Sequence, residues 1–263
     1  MITLVIPTLN EVENITPLLD RIAQGRSVPD QIIFVDDGST DGTRECIRAH
    51  TGPGAVELIE RDAPALGLAG AVLAGARAAI GDWLVVMDAD LSHPPEKIGE
   101  LLQPLLEGRA DMVIGSRYVR GGTTPGWPLW RKIMSRIAAA AAYPLTGVHD
   151  SMCGFFAVPT RLLLEIAPAA TGFKIAFEAI VQGGKNLRVI EVPIAFRDRA
   201  RGASKMSLGV ALLFAERWLA AMIRRTFRSH SAEIAPETVA RFTPQSSTVN
   251  PAKSSKVANN ALP

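Results

Sequence analysis

The sequence predicts an α/β domain: a doubly wound, mostly parallel central sheet with helices on both faces, followed by a C-terminal amphipathic helix. Three observations point there. Short β-branched runs alternate with stretches of helical period through residues 1–115, the pattern of parallel strands joined by crossover helices. Hydrophobic residues make up 48% of the 263-residue chain and charged residues 21%, enough apolar side chains to fill a sizeable core. The chemically suggestive groups, Pro7 to Glu11, Asp36 to Asp41, Asp88 to His93 and Gly115 to Tyr118, all fall at the carboxyl ends of expected strands, where open α/β sheets bind ligands.

Taken in order, strand ITLVIP (2–7) leads to a helix over 11–24, and strand QIIFVD (31–36) to a helix over 41–50. Strand AVELIE (55–60) precedes a helix over 66–80, strand WLVVMD (83–88) precedes a helix over 95–106, and DMVIGS (111–116) closes the series. The loop GGTTPGWP (121–128), with its turn residues, separates this part from a helix over 129–143. A strand near 154–158, helices over 160–166 and 175–183, and strand RVIEVPIAF (188–196) follow, and a last helix covers 207–227. Beyond it the composition shifts to Ser, Thr, Pro, Asn, Ala and Lys without apolar period, which predicts a disordered tail over 228–263.

Composition excludes several classes. A net charge of +2 argues for no nucleic-acid partner, although basic residues gather at 117–136, 197–205 and 217–228, where they suit an anionic substrate or anionic lipid headgroups. Two cysteines, Cys46 and Cys153, without CxxC spacing indicate neither a disulfide framework nor a zinc site. The N-terminal apolar run is short and lacks a basic flank, so it reads as a strand and not a secretory signal. The most apolar stretch, 207–223, carries Glu216 and Arg217, each costing about 2.5–3.5 kcal/mol at a bilayer centre. It therefore reads as not spanning, and the expected location is the cytoplasm.

Two acidic motifs carry chemistry. In FVDDGSTDGT, Asp41 reads as the cap of the following helix, which leaves Asp36 and Asp37 unexplained. Carboxylates at a strand-end crevice bind ribose hydroxyls or a base edge, yet neither GxGxxG nor GxxxxGK[ST] is present. In VVMDADLSHPPEKI, Asp88 and Asp90 are spaced to share one face of a strand end. Two carboxylates that close repel unless a cation lies between them, and the oxygen-rich set suits Mg²⁺ or Mn²⁺ sharing a diphosphate. His93 is either a further ligand or a solvated loop residue.

Together PTLNE, VDDGSTDGT, DADLSHPPE, GSRY, DSMCGFF and EVPIAFRDRARGASK occur in the order seen in family-two inverting glycosyltransferases of the GT-A fold, and the set resembles the dolichyl or polyprenyl phosphate mannose synthases over residues 2–227. The resemblance implies a catalytic domain over 1–227: a nucleotide-sugar-binding half (1–118), an acceptor half (119–206) and the amphipathic helix (207–227). It implies that Pro7, Asn10, Glu11, Val35, Asp36, Asp37, Ser39 and Ala89 hold the donor, with Arg117 near the sugar phosphate. Asp88 and Asp90 would bind Mn²⁺ or Mg²⁺, Asp90 as the more direct ligand. The implied reaction is inverting transfer of a hexose, mannose from GDP-mannose, to a polyprenyl phosphate. Another nucleotide sugar such as UDP-glucose, a saccharide acceptor, or a non-catalytic nucleotide-sugar-binding protein stay open as alternatives.

A lipid phosphate, with second pKa near 6, is already ionised at neutral pH and needs cationic positioning more than a base. Arg131, Lys132 and Arg136 with Ser135 on one helix, and Arg197, Arg199, Arg201, Ser204 and Lys205 in one loop, match that need; the expected catalytic set is Asp90, Arg117, Arg131, Arg201 and Lys205. The chain departs from its relatives at Ser92, where glutamine is common, and at Gly67-Leu68-Ala69-Gly70, a variant of a glycine-rich turn. The helices at 129–143 and 207–227, with Trp130, Ile133, Ile137, Arg224, Arg225 and Arg228, suggest peripheral contact with the cytoplasmic face of a membrane, with a separate membrane subunit as a further candidate partner.

Overall fold

The computed structural model describes residues 1–50, 55–62, 64–168, 170 and 174–198. Arg199, Arg201, Ser204, Lys205, the expected helix at 207–227 and the tail lie outside the described residues. Among the described residues, strands β1 (Ile2–Thr8), β2 (Gln31–Asp36), β3 (Ala55–Glu60), β4 (Trp83–Val86), β5 (Met112–Ser116), β6 (Phe156–Pro159) and β7 (Val189–Pro193) form one sheet in the order β3-β2-β1-β4-β6-β5-β7. The pairs β1/β2, β1/β4, β2/β3 and β5/β7 are parallel, while β6 runs antiparallel to both its neighbours.

The helices are α1 (Val12–Ala23), α2 (Thr43–Arg48), α3 (Gly67–Ala78), α4 (Ile98–Leu106), entered by a 3₁₀ turn at Pro95–Lys97, α5 (Leu129–Thr146), α6 (Thr160–Ile166) and α7 (Ile175–Gly183). β2 is buried at all six positions, as a strand must be when both sheet faces are covered. α3 packs on β1 and β2, and α4 on β5, β6 and β7. Strand order reverses between β1 and β4: β2 and β3 extend the sheet from one side of β1, and β4 begins the other. That switch point opens a crevice at the carboxyl ends of β1 and β4, where Pro7 and the Asp88 loop meet.

Two local expectations are corrected. β4 ends at Val86, two residues short of Asp88, so Asp88 and Asp90 do not share a strand face. Met87 N–H still bonds to Val5 O, but Asp88 N–H turns instead to His93 Nδ1 (3.4 Å), and Leu91 adopts φ +61°, a conformation bulky residues rarely take. Asp41 is also not the cap residue: α2 begins at Thr43 with Gly42 at φ +93° before it. Asp41 instead accepts the N–H groups of Thr43 and Val12, tying the starts of α2 and α1 together.

α5 is unusual in what it leaves uncovered. It fully buries only Ala139 and Ala142, while Leu129 (73% exposed), Trp130 (68%), Ile133, Met134 and Ile137 face outward.

Candidate active site at the switch point of the sheet

The loops after β1 and β2 are knitted together by side chains. Asn10 N–H donates to Ser39 Oγ (2.8 Å), Thr40 N–H to Asn10 Oδ1 (2.9 Å) and Glu11 N–H to Thr43 Oγ1 (2.9 Å). Asn10 itself sits at φ +55°, which asparagine tolerates better than most residues. The structure therefore brings Pro7, Asn10, Glu11, Val35, Asp36, Asp37 and Ser39 to one end of the sheet. It also separates the two aspartates in role. Asp36 is fully buried and accepts the N–H groups of Gly38 (3.1 Å) and Ser39 (2.9 Å), the Ser39 hydroxyl and Arg44 Nε (2.5 Å). Burial pushes its carboxyl up, but these hydrogen bonds outweigh burial and hold it below the usual carboxylate range. Asp36 is thus consumed by the loop's own architecture.

Asp37 is the outward partner. Its Oδ1 is buried with no hydrogen bond and lies 3.2 Å from Arg61 Nε, and Arg61 Nη1 is likewise a buried donor without an acceptor. Burial raises the Asp37 carboxyl, with Arg61 opposing and Asp36 adding to the rise. Among the described residues, the Asp37–Arg61 ion pair thus leaves an acceptor and a donor without hydrogen bonds side by side.

At the end of β4, Asp88 is partly exposed and Asp90 is 4% exposed, accepting Ser92 N–H (3.0 Å). His93, expected in solvent or on a metal, is instead fully buried, packed between Phe155 (5.4 Å) and Phe196 (5.0 Å). Those rings come from distant sequence, which is why a loop reading missed the burial. Desolvation lowers the His93 pKa against the pull of Asp88 and Asp90. The Asp88 N–H donated to Nδ1 assigns the ring proton to Nε2, which faces Cys153 Sγ at 3.6 Å. Burial, with Asp150 adding, pushes the Cys153 thiol up to about 12, so it is no nucleophile at neutral pH.

The donor set fits a hard divalent cation. Among the described residues no three His, Cys, Asp or Glu side chains converge as a metal cage; a Mg²⁺ or Mn²⁺ held by one or two carboxylates and completed by phosphate and water needs none. Gly154 keeps the space beside Asp88 open, since a Cβ there would stand 3.0 Å from both carboxylate oxygens. The Ser92 hydroxyl, two residues after Asp90, is buried with no hydrogen-bond partner among the described residues.

Arg117 is held in a manner no motif revealed. Asp150, fully buried, accepts its N–H (2.9 Å), Nε (2.7 Å) and Nη2 (2.7 Å). Asp150 N–H in turn donates to Glu191 (3.0 Å). The guanidinium lies over Tyr118, Phe196 and Trp127 at 5.1–5.5 Å. Burial opposes its charge, but the hydrogen bonds and charge of Asp150 more than compensate, so its pKa is raised. Lys174, also missed, lines a narrow cleft with Pro7, Asp88 and Gly154 and donates to Met152 O (3.3 Å). Burial lowers its pKa, as does Arg117, against Asp88, Cys153 and Asp150. Of the acceptor residues, Arg131 is paired with Asp198 (2.7 Å) and stacked 4.0 Å from the Trp127 ring centroid, and Ser135 Oγ accepts the Tyr118 hydroxyl (2.5 Å).

The comparison with known proteins agrees with this geometry. A model described as glycosyl transferase family 2 matches residues 3–164. A dolichol-phosphate mannosyltransferase of Pyrococcus furiosus is 39% identical over 210 residues, covering 78% of this chain and 59% of that protein. The chain thus spans less than two thirds of that relative. A dolichol-phosphate mannosyltransferase of Saccharomyces cerevisiae is 37% identical, covering 78% of this chain and 80% of its own, and a polyprenol monophosphomannose synthase of Mycolicibacterium smegmatis is 39% identical, covering 77% and 80%. A solved glucosyl-3-phosphoglycerate synthase of Mycobacterium tuberculosis, in complex with Mn²⁺, UDP-glucose and phosphoglyceric acid, superposes with a TM-score of 0.65 at 24% identity over 86% of this chain and 79% of that one. The sheet and its helices are those of the GT-A fold.

Proposed function

The chain belongs to glycosyl transferase family 2, and we propose that it transfers mannose from GDP-mannose to the phosphate of a polyprenol or dolichol with inversion at the anomeric carbon. The observation that carries the reading is one arrangement: the Asp88–Asp90 carboxylates at the switch point, with His93 within electrostatic reach both of them and of the Asp150-held Arg117. The names of the relatives support the acceptor class.

The reaction asks little proton chemistry of the protein. A phosphate oxygen of the acceptor attacks C1 of the sugar from the face opposite the nucleotide; the C1–O bond to the β-phosphate breaks and its electron pair leaves with the nucleoside diphosphate. The acceptor phosphate is ionised at neutral pH, so no general base is required, and His93, the imidazole beside Asp88, is sealed in the interior. When bound by Asp88 and Asp90, Mn²⁺ or Mg²⁺ would neutralise the leaving diphosphate. Arg117, kept charged by Asp150, holds a fixed positive potential where negative charge gathers. Arg131, Ser135 and, beyond the described residues, Arg199, Arg201, Ser204 and Lys205 are assigned to the acceptor phosphate, and Asn10, Glu11 and Ser39 to the donor.

Asp37 and Arg61 are assigned to the base of the donor in this reading. An acceptor beside a donor complements an adjacent donor and acceptor on a base edge, which guanine presents as N–H beside C=O. The exposed apolar stripe of α5 would rest at the surface of a membrane, because the isoprenoid tail of the acceptor stays in the bilayer. Among the described residues no helix is long and apolar enough to cross it; in this reading contact through α5 is peripheral or depends on a membrane subunit at the cytoplasmic face.

The direct test offers a panel of radiolabelled nucleotide sugars with polyprenyl phosphate and Mn²⁺ and counts label in the organic phase. GDP-mannose should give the most label of the donors offered. No label from any donor would remove the lipid acceptor.

A further inference from the structure

β7 carries one charged side chain, Glu191, between Ile190 and Val192. It stands on the outermost strand of the sheet, in register with Ile114 of β5. Its side chain is 11% exposed, and a carboxylate so covered needs donors from the protein. The donors are backbone groups. Oε2 accepts the N–H of His149 (2.9 Å) and Oε1 the N–H of Asp150 (3.0 Å). Two successive N–H groups on one carboxylate, one to each oxygen, fix the orientation of that stretch as well as its place.

What this grip holds is the root of the Asp150 side chain, on which three N–H groups of Arg117 converge at 2.7–2.9 Å. Arg117 follows Ser116, the last residue of β5, and Ser116 pairs with Pro193 of β7. The contacts thus close a circuit, from β7 through Glu191 to the 149–150 backbone, through Asp150 to Arg117, and back along β5. A site braced by two adjacent strands is held more precisely than one carried by a loop alone. The His149 ring is a side branch of the circuit: its Nδ1 lies 2.8 Å from Glu191 Oε2, its side chain is 55% exposed, and it leans on Tyr143 at 5.0 Å.

We propose that Glu191 is a positioning residue, setting where the Arg117 guanidinium stands by fixing the backbone from which Asp150 reaches it. Its consequence for catalysis rests on the transfer reading given above, whereas the hold on Arg117 is a property of the folded chain without substrate. Glutamine at 191 keeps the size and one acceptor oxygen, but its NH₂ group faces the other backbone N–H, donor against donor. Asp150 then loses its fixed root and Arg117 its fixed place. A displacement of about 1 Å in a group that positions or stabilises the reacting atoms costs up to about 10²-fold in rate.

The test uses the full chain. Exchange of the Arg117 Nε–H with solvent is followed in ¹H–¹⁵N spectra without any ligand, the resonance being assigned with Arg117→Lys. Glu191→Gln should exchange about tenfold faster or more. At a temperature where circular dichroism shows both proteins folded, its kcat for transfer from GDP-mannose to a polyprenyl phosphate should fall by about tenfold or more. His149→Phe, which removes the ring bond and keeps the backbone N–H, should match the parent in both readings. Parental exchange in Glu191→Gln overturns the proposal, as does a His149→Phe variant that behaves like Glu191→Gln. Faster exchange with an unchanged kcat leaves Glu191 a structural role and overturns it too. A parent that transfers no sugar overturns the transfer reading, and the exchange comparison still decides whether Glu191 holds Arg117. Should Glu191→Gln not fold, Glu191→Asp, which keeps the charge and shortens the reach, carries both readings with a smaller effect.

Discussion

Replacing Asp150 by asparagine should both destabilise the protein and disable it. Asp150 is fully buried and Arg117 nearly so, and three N–H groups of Arg117 converge on that one carboxylate. Asparagine keeps one acceptor but points an N–H at a guanidinium, leaving a cation buried against Trp127, Phe196 and Tyr118 without its counter-charge. Breaking a buried pair from one side costs about 3–5 kcal/mol. For a folded unit of this size each kcal/mol lowers Tm by about 2–4 °C, so the expected fall is about 6–20 °C by calorimetry. Adding Arg117→Met to Asp150→Asn removes the stranded charge and should recover most of the lost stability while activity stays absent. A Tm within about 2 °C of the parent for Asp150→Asn, or a double variant no more stable than the single one, would refute the idea that Arg117 is an electrostatic element held by its partner.

Four further outcomes follow from other parts of the site. Asp90→Asn should lower kcat by about 10²–10³ with little change in Tm, because Oδ1 can still accept Ser92 N–H; unchanged metal-dependent activity would remove Asp90 from the reaction. Gly154→Ala should raise the Mn²⁺ concentration needed for half-maximal activity by about tenfold, since the new methyl crowds both Asp88 oxygens, whereas a shift in stability alone would count against Asp88 as a ligand. The depressed Asp36 carboxyl contributes stability that is present above the unfolded value of about 3.9 and is lost as pH falls through its lower folded value. Arg44→Gln should therefore move the acid-unfolding midpoint upward in a circular dichroism titration, and an unmoved midpoint would contradict the role given to that hydrogen bond. On α5, Ile133→Glu with Ile137→Glu should abolish pelleting with anionic liposomes at low salt, where the parent pellets and is released by high salt. A parent that stays in the supernatant would transfer membrane contact to a separate subunit.

Much of the sheet was legible because its signals are local. The runs at 2–7, 31–36 and 55–60 are strands at those residues or one beyond, each an apolar β-branched run ending at a polar loop. The Asp88–Asp90 pair was legible as a site but not as a shape. Strand period carried it two residues too far, and the turn that closes on His93 depends on Phe155 and Phe196, far away in sequence. The same limit hid the role of Asp150, the first residue of DSMCGFF, together with Arg61 and Lys174. Each acts through a partner from another segment, Arg117, Asp37 and the Asp88 cleft, and no periodicity joins them. The place of β6 was hidden likewise, since a four-residue strand inserted antiparallel between β4 and β5 is specified by its neighbours and not by its own pattern.

The central claim is that the acceptor atom is a phosphate oxygen, and ³¹P NMR of the full reaction reads that atom directly. With GDP-mannose, Mn²⁺ and a short polyprenyl phosphate, the acceptor's monoester signal should decline as a phosphodiester signal and GDP grow in equal amounts. Asp90→Asn should leave all three signals unchanged. GDP released while the monoester signal persists would mean that the sugar goes to water or to a hydroxyl, and would contradict transfer to phosphate.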